Sequence, residues 1–115
     1  MCASVGSVRA FEKILLYDKV EQVADKTAQD LAPIVRSPIE VVDAKTACQN
    51  ADVLVTATNS REPIVMDDWV RPGTHLSCMG SDMPDKIECE MSLLARCHIF
   101  ADMIEHAIKR GEVSQ

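Results

Sequence analysis

The chain has 115 residues, the size of one small domain, and 47% of them are apolar, enough to form a core. A formal net charge of −6 without any basic tract excludes a general phosphate-backbone binder, so no nucleic-acid partner is expected. No apolar run approaches the ~20 residues of a membrane span, so no membrane partner is expected either.

The N-terminal "MCASVGSVRA" lacks the basic and apolar regions of a signal peptide. Taken in chain order, "KILLYD" (Lys13 to Asp18) reads as a short buried strand ending in an acid. Val20, Val23, Ala24, Ala28 and Leu31 then recur at helical spacing until Pro33 stops the pattern. "IEVV" (Ile39 to Val42) predicts a second strand, and Asp43 is a candidate N-cap for a short helix over "DAKTACQNA". "DVLVTAT" (Asp52 to Thr58) is the most continuous strand signal. A loop follows, then a turn of helix in "MDDWVRPG" that Pro72-Gly73 ends. "THLSCMG" (Thr74 to Gly80) predicts a strand, "CEMSLLARC" a helix, "HIFAD" (His98 to Asp102) a last strand, and "MIEHAIKRGE" a closing helix.

Alternating strands and helices imply an α/β fold with a parallel sheet buried on both faces. In such sheets ligands bind outside the carboxyl ends of the strands. The polar clusters Asp18, Thr56 to Ser60, Gly80 to Asp82, and Asp102 all fall at those ends. Five scattered cysteines (Cys2, Cys48, Cys78, Cys89 and Cys97) form no CxxC pair. Neither a disulfide framework nor a metal site is expected, and reduced thiols acting as small hydrophobes suit a cytoplasmic protein.

Four blocks in order carry a more specific signal: "YDK", "NADVLVTATNSREPIV", "WVRPGTHLSCMGSDMPDKIE" and "HIFADMIEHAIKRGE". Together they resemble the ornithine cyclodeaminase/mu-crystallin family, whose pattern runs T-A-T, S-R-x-P, W-x-x-P-G-x-H, G-A/S-D-x-P-x-K-x-E, and a late G-E. The resemblance covers nearly the whole chain and implies a Rossmann-like, doubly wound NAD(P)-binding domain. Two features of that domain are not found. There is no G-x-G-x-x-G/A turn, since Gly6 is the only glycine before Gly73, and no strand precedes "VGSVRAFEK". The expectation is therefore a partial domain over 1–115, lacking the first strand, the Gly-rich turn and the N-terminal substrate domain. Asp85 also stands where the family usually has glycine.

The resemblance implies particular roles. Asp18 would accept the adenosine ribose hydroxyls and disfavour a 2′-phosphate, so NAD is preferred to NADP, with Lys19 blurring the preference. The alternative for Asp18 is an acid capping a strand-to-helix turn. Thr56, Ala57, Thr58 and Ser60 would form the loop under the dinucleotide, with turn chemistry as the alternative. Met79, Gly80 and Ser81 would lie at the nicotinamide, Gly80 through close approach or an unusual backbone angle. Asp82 is the candidate catalytic carboxylate, to take a proton or activate water, with a helix N-cap as its alternative. No role is assigned to Lys86 or Glu88, for which a local ion pair or helix start stands beside substrate contact. His75 is read as structural, Trp69 as packing, and Asp102 as a lesser contact.

The implied activity is NAD-dependent cyclising deamination of an amino acid, ornithine to proline plus ammonia. A related amino-acid dehydrogenase or ketimine reductase acting on a cyclic imine is equally implied. A mu-crystallin-like, non-catalytic binder of NAD(P)H and a small molecule is a second reading, and an inactive fragment a third. The missing central strand leaves two sheet edges bare, which predicts a marginal monomer, a homo-oligomer, or dependence on the N-terminal domain. Weak or undetectable cofactor binding by the chain alone follows from the missing phosphate turn.

Overall fold

A computed structural model describes residues 2–114, with side chains from residue 4 onward. The chain falls into two compact units, Met1–Ala47 and Cys48–Gln115.

In the N-terminal unit, helix α1 (Cys2–Val8) precedes strand β1 (Ile14–Leu16), helix α2 (Glu21–Leu31) and strand β2 (Ile39–Val41). β1 and β2 pair in parallel, Ile14 opposite Ile39 and Leu16 opposite Val41. A parallel pair requires a crossover, and α2 supplies it. The Asp18 carboxylate accepts the Val20 N–H at 2.8 Å and turns the chain from β1 toward α2. Of the predicted helical stripe only Ala24 is buried, while Val20 and Val23 remain exposed. Helix α3 (Ala44–Asn50) starts at the predicted cap. Asp43 accepts the Thr46 N–H at 2.9 Å and the Thr46 hydroxyl at 2.7 Å. Those two bonds hold the Asp43 carboxyl below its ordinary range.

In the C-terminal unit, β3 (Val53–Thr56) and β4 (His75–Cys78) pair in parallel, Val53 opposite His75 and Thr56 opposite Cys78. Their connection carries only a 3-10 turn at Asp67–Trp69. It ends at Arg71-Pro72-Gly73-Thr74, where Gly73 adopts φ +87°, the left-handed conformation that Pro-Gly turns require. An isolated parallel bridge joins Val65 to Cys89. Helix α4 (Met91–Ala95) buries Leu93 and Leu94 against Cys48, Val65, Val70 and Cys89, with Trp69 packed on the same cluster. Cys48 and Cys89 thus serve as core residues, as expected. Helix α5 (Ile104–Lys109) and a 3-10 turn at Glu112–Ser114 close the unit, separated by Gly111 at φ +99°.

The α/β class and parallel strands match expectation, but three predictions do not hold. "HIFAD" forms no strand: residues 98–101 pair with nothing in the sheets, and Phe100 is 94% exposed. An apolar run becomes a strand only where a neighbouring edge accepts its backbone bonds, and none does here. The described strands form two separate two-stranded sheets, β1-β2 and β3-β4, rather than one. Their residues are mostly half-buried, since two strands with few covering elements cannot be enclosed on both faces.

Candidate functional site

The carboxyl ends of β3 and β4 lie side by side, because Thr56 pairs with Cys78 and the Met79 N–H bonds the Thr56 carbonyl at 2.8 Å. Six of the residues singled out beyond these ends in the sequence (Ala57, Thr58, Ser60, Gly80, Ser81 and Asp82), together with Thr56 and Met79, belong to this unit and form one rim. Asp18 and Lys19 belong to the other unit, where Asp18 takes the turn-capping geometry described above.

Most hydroxyls of the rim point inward. Thr56 and Thr58 each donate to the Glu88 carboxylate at 2.7 Å. Ser60 donates to the Glu62 carbonyl at 2.6 Å, and the buried Ser81 to the Lys86 carbonyl at 2.6 Å. Their protons are therefore committed, and only lone pairs remain for a ligand. What faces outward is Ala57, Asn59, Met79 and Asp82. Gly80 does permit a close approach, but of the protein to itself. A Cβ there would collide with the Glu88 carboxylate and with the Thr58 backbone N and O. Its φ is not positive, so the expected unusual backbone angle is absent.

Asp82 is exposed, and its carboxylate accepts the Lys86 ammonium at 2.6 Å. Lys86 is itself only 17% exposed and also bonds the Asn59 side-chain oxygen at 2.9 Å. The Lys86 bond holds the Asp82 carboxyl below the usual carboxylate range. No helix follows Asp82: residues 83–88 form a turn and extended chain, so the alternative helix-capping role has no helix to serve. Lys86 realises the local ion pair that its sequence context allowed. Arg61 pairs with Asp85 at 3.0 Å, and the Ile87 N–H bonds the Ser60 carbonyl at 3.1 Å, lacing the two loops together.

Two residues without an assigned role prove central. Glu88 is fully buried and accepts bonds from Thr56, Thr58 and Gly80, while Glu112 accepts the Glu88 and Cys89 N–H groups. Their only sequence signal was membership in the K-x-E and G-E blocks. His75 opens β4 at the far end from the rim, as expected. Asp102 lies outside any strand, and its carboxylate accepts the neighbouring Met103 N–H at 2.8 Å. Among the described residues no group of three or more His, Cys, Asp or Glu could hold a metal, and no helix is long and apolar enough to cross a membrane.

The sequence model of the ornithine cyclodeaminase/mu-crystallin family matches residues 2–115. The chain belongs to this family. The ketimine reductase mu-crystallin of Macropus fuliginosus is 31% identical to it over 102 residues, covering 89% of this chain and 32% of the relative. The fold is similar to the iminosuccinate reductase of Paracoccus denitrificans in complex with NAD+, with TM-score 0.90 and 30% identity, covering 96% of this chain and 34% of that one. It is similar also to an archaeal alanine dehydrogenase dimer with bound NAD, with TM-score 0.88 and 33% identity, covering 94% and 33%. The chain thus spans about a third of the length of these relatives. The Rossmann-like class is shown by these neighbours, which are NAD-binding dehydrogenases and reductases.

Proposed function

We propose that residues 1–115 contribute the dinucleotide-facing part of an NAD(H)-dependent enzyme that interconverts an amino acid and an imine. Asp82 is the residue that faces the substrate. The observation that carries this reading is the rim itself: an exposed carboxylate held by Lys86, whose ammonium also bonds Asn59, beside the small residues Ala57 and Gly80 at two parallel strand ends.

The rim fits the nicotinamide half of a dinucleotide. Its outward surface offers Ala57, Met79 and the strand-tip main chain to a flat ring lying against it, and the half-buried Thr58 and Ser60 oxygens keep lone pairs for carboxamide or ribose donors. Thr58, Ser60 and Met79 are assigned to that surface, with the buried Thr56 and Ser81 beneath it. NAD supplies hydride transfer when bound. The chain's own residues do the rest. Asp82, kept ionised by Lys86, stabilises a protonated imine or substrate ammonium and can accept its proton. Lys86 neutralises the carboxylate between turnovers and fixes its orientation.

Within the family, the relatives named above act as ketimine reductase, iminosuccinate reductase and alanine dehydrogenase, so an imine or amino-acid substrate is favoured. Cyclising deamination of ornithine, a lyase reaction, is retained as the alternative chemistry on the same constellation. The four described cysteines are free thiols, which suits a cytoplasmic location.

The test is a nitrogen-15 NMR titration of the chain with NADH and NADPH, followed by turnover assays with a small cyclic ketimine and with ornithine. Shifts in residues 57–60 and 79–82, larger for NADH, support the reading, and Asp82→Asn then removes turnover but not binding. Binding without any turnover favours a mu-crystallin-like binder. Shifts confined to other surfaces, or none, defeat the proposal.

A further inference from the structure

Two carboxylates that the proposed chemistry does not use are buried in the C-terminal unit, and they are linked end to end. Glu112, 8% exposed, commits both oxygens to main chain: Oε1 accepts the Glu88 N–H at 2.7 Å and Oε2 the Cys89 N–H at 3.0 Å. The Glu88 side chain, 0% exposed, receives a backbone N–H at each oxygen. Thr58 donates to Oε1 at 2.6 Å and Gly80 to Oε2 at 2.9 Å. A hydroxyl joins each, from Thr58 to Oε1 and from Thr56 to Oε2, both at 2.7 Å. The Thr58 and Gly80 amides lie past the ends of β3 and β4, where the strand ladder no longer serves them.

We propose that Glu112 and Glu88 form a two-carboxylate clasp, Glu112 holding the Glu88 main chain and the Glu88 side chain holding both strand tips, so that Glu88 is the positioning residue of the rim. That the rim serves a dinucleotide rests on the proposed function; the clasp does not. The chemistry demands a carboxylate. The two amides reach one side chain from different strands, and only a group with two acceptor oxygens and no donor satisfies both. Glutamine in either orientation turns its NH2 toward one of them. An unsatisfied buried amide is expensive, so the loop carrying it will shift. Gly80 completes the device, because any Cβ would occupy the carboxylate's place.

Hydrogen exchange by NMR on the whole chain tests this in wild type, Glu88→Gln and Glu112→Gln. In wild type, the Thr58 and Gly80 amides are expected to exchange as slowly as those of β3, although both are loop residues. In Glu88→Gln one of the two should exchange roughly tenfold faster or more, with chemical shifts moving across residues 57–60 and 79–81 and little change at Leu54 and Leu76. Glu112→Gln, which likewise turns an NH2 toward one of two amides, should speed the Glu88 or Cys89 amide and move the rim in the same sense. NADH affinity at a temperature where each variant is fully folded should fall with the rim shifts, which a purely structural role would not produce. Fast exchange of both tip amides in wild type overturns the clasp without need of any variant. Unchanged rim shifts, or unchanged NADH affinity, in a folded Glu88→Gln overturn the positioning role. If wild type binds no NADH, the functional reading falls and the exchange and shift data alone decide the clasp.

Discussion

At position 80 the space that an alanine methyl would need is already taken by the Glu88 carboxylate and the Thr58 main chain. Gly80→Ala should therefore destabilise the chain by about 1–3 kcal/mol through overpacking. Gly6→Ala, in an exposed helix with open space around it, should stabilise by about 0.5–1 kcal/mol. Urea denaturation of the two variants reads the contrast, and equal effects would contradict the crowding at position 80. The residue scale also governs Asp82. Its carboxyl is held low chiefly by the Lys86 hydrogen bond. Lys86→Met should let it titrate at higher pH, visible in the Asp82 carboxyl carbon resonance. Because the folded-state value is depressed, the stabilisation from this pair is present above the unfolded value and lost as pH falls through the folded one.

The 3-10 turn that ends the chain contributes an effect of the opposite sign. Burial pushes the Glu112 carboxyl above its ordinary value of 4.5, only partly offset by the N–H bonds from Cys89 and Glu88, and the Glu88 charge adds to the rise. The folded state therefore binds this proton more tightly than the unfolded chain does. The corresponding stability is full below 4.5 and declines as pH rises through the folded value. Glu112→Gln should remove that decline, so the difference in urea midpoint between wild type and variant changes with pH above 4.5 and levels off at acid pH. A pH-independent difference would show that the carboxyl does not titrate in this range.

Elements also mark how far the sequence could be read. Strands β1 to β4 and the Asp43 cap were legible because apolar runs and N-cap chemistry are local signals. "HIFAD" carried the same local signal and failed, since strand formation depends on an edge that the run itself does not encode. Glu88 looked like one more acid in a polar stretch. Its partners Thr56 and Thr58 lie 32 and 30 residues away, so its burial was invisible until the tips of β3 and β4 were brought together. The rim hydroxyls stand at the strand ends as expected, but the donation of Thr56 and Thr58 to a buried Glu88 was invisible for the same reason.

For the molecule as a whole, the distribution of burial is uneven. The N-terminal unit buries Ala24 and Ala47, whereas the C-terminal unit holds the cluster of Cys48, Val65, Val70, Cys89, Leu93 and Leu94. Amides of β1 and β2 should exchange faster than those of β3 and β4, since local stability follows buried apolar contact. Both sheets carry bare edges among the described residues, and Phe100, Ile104 and Ile108 are exposed. Sedimentation should accordingly show association that grows with concentration. A clean monomer with one sharp thermal transition would contradict it.

The packing of Trp69 has a practical corollary. It is the single tryptophan of the chain and lies against the C-terminal cluster, while the single tyrosine, Tyr17, follows β1 in the N-terminal unit. Indole emission thus reports the melting of one half, and phenol absorbance that of the other, giving the chain a built-in pair of optical labels for following each half without any added dye.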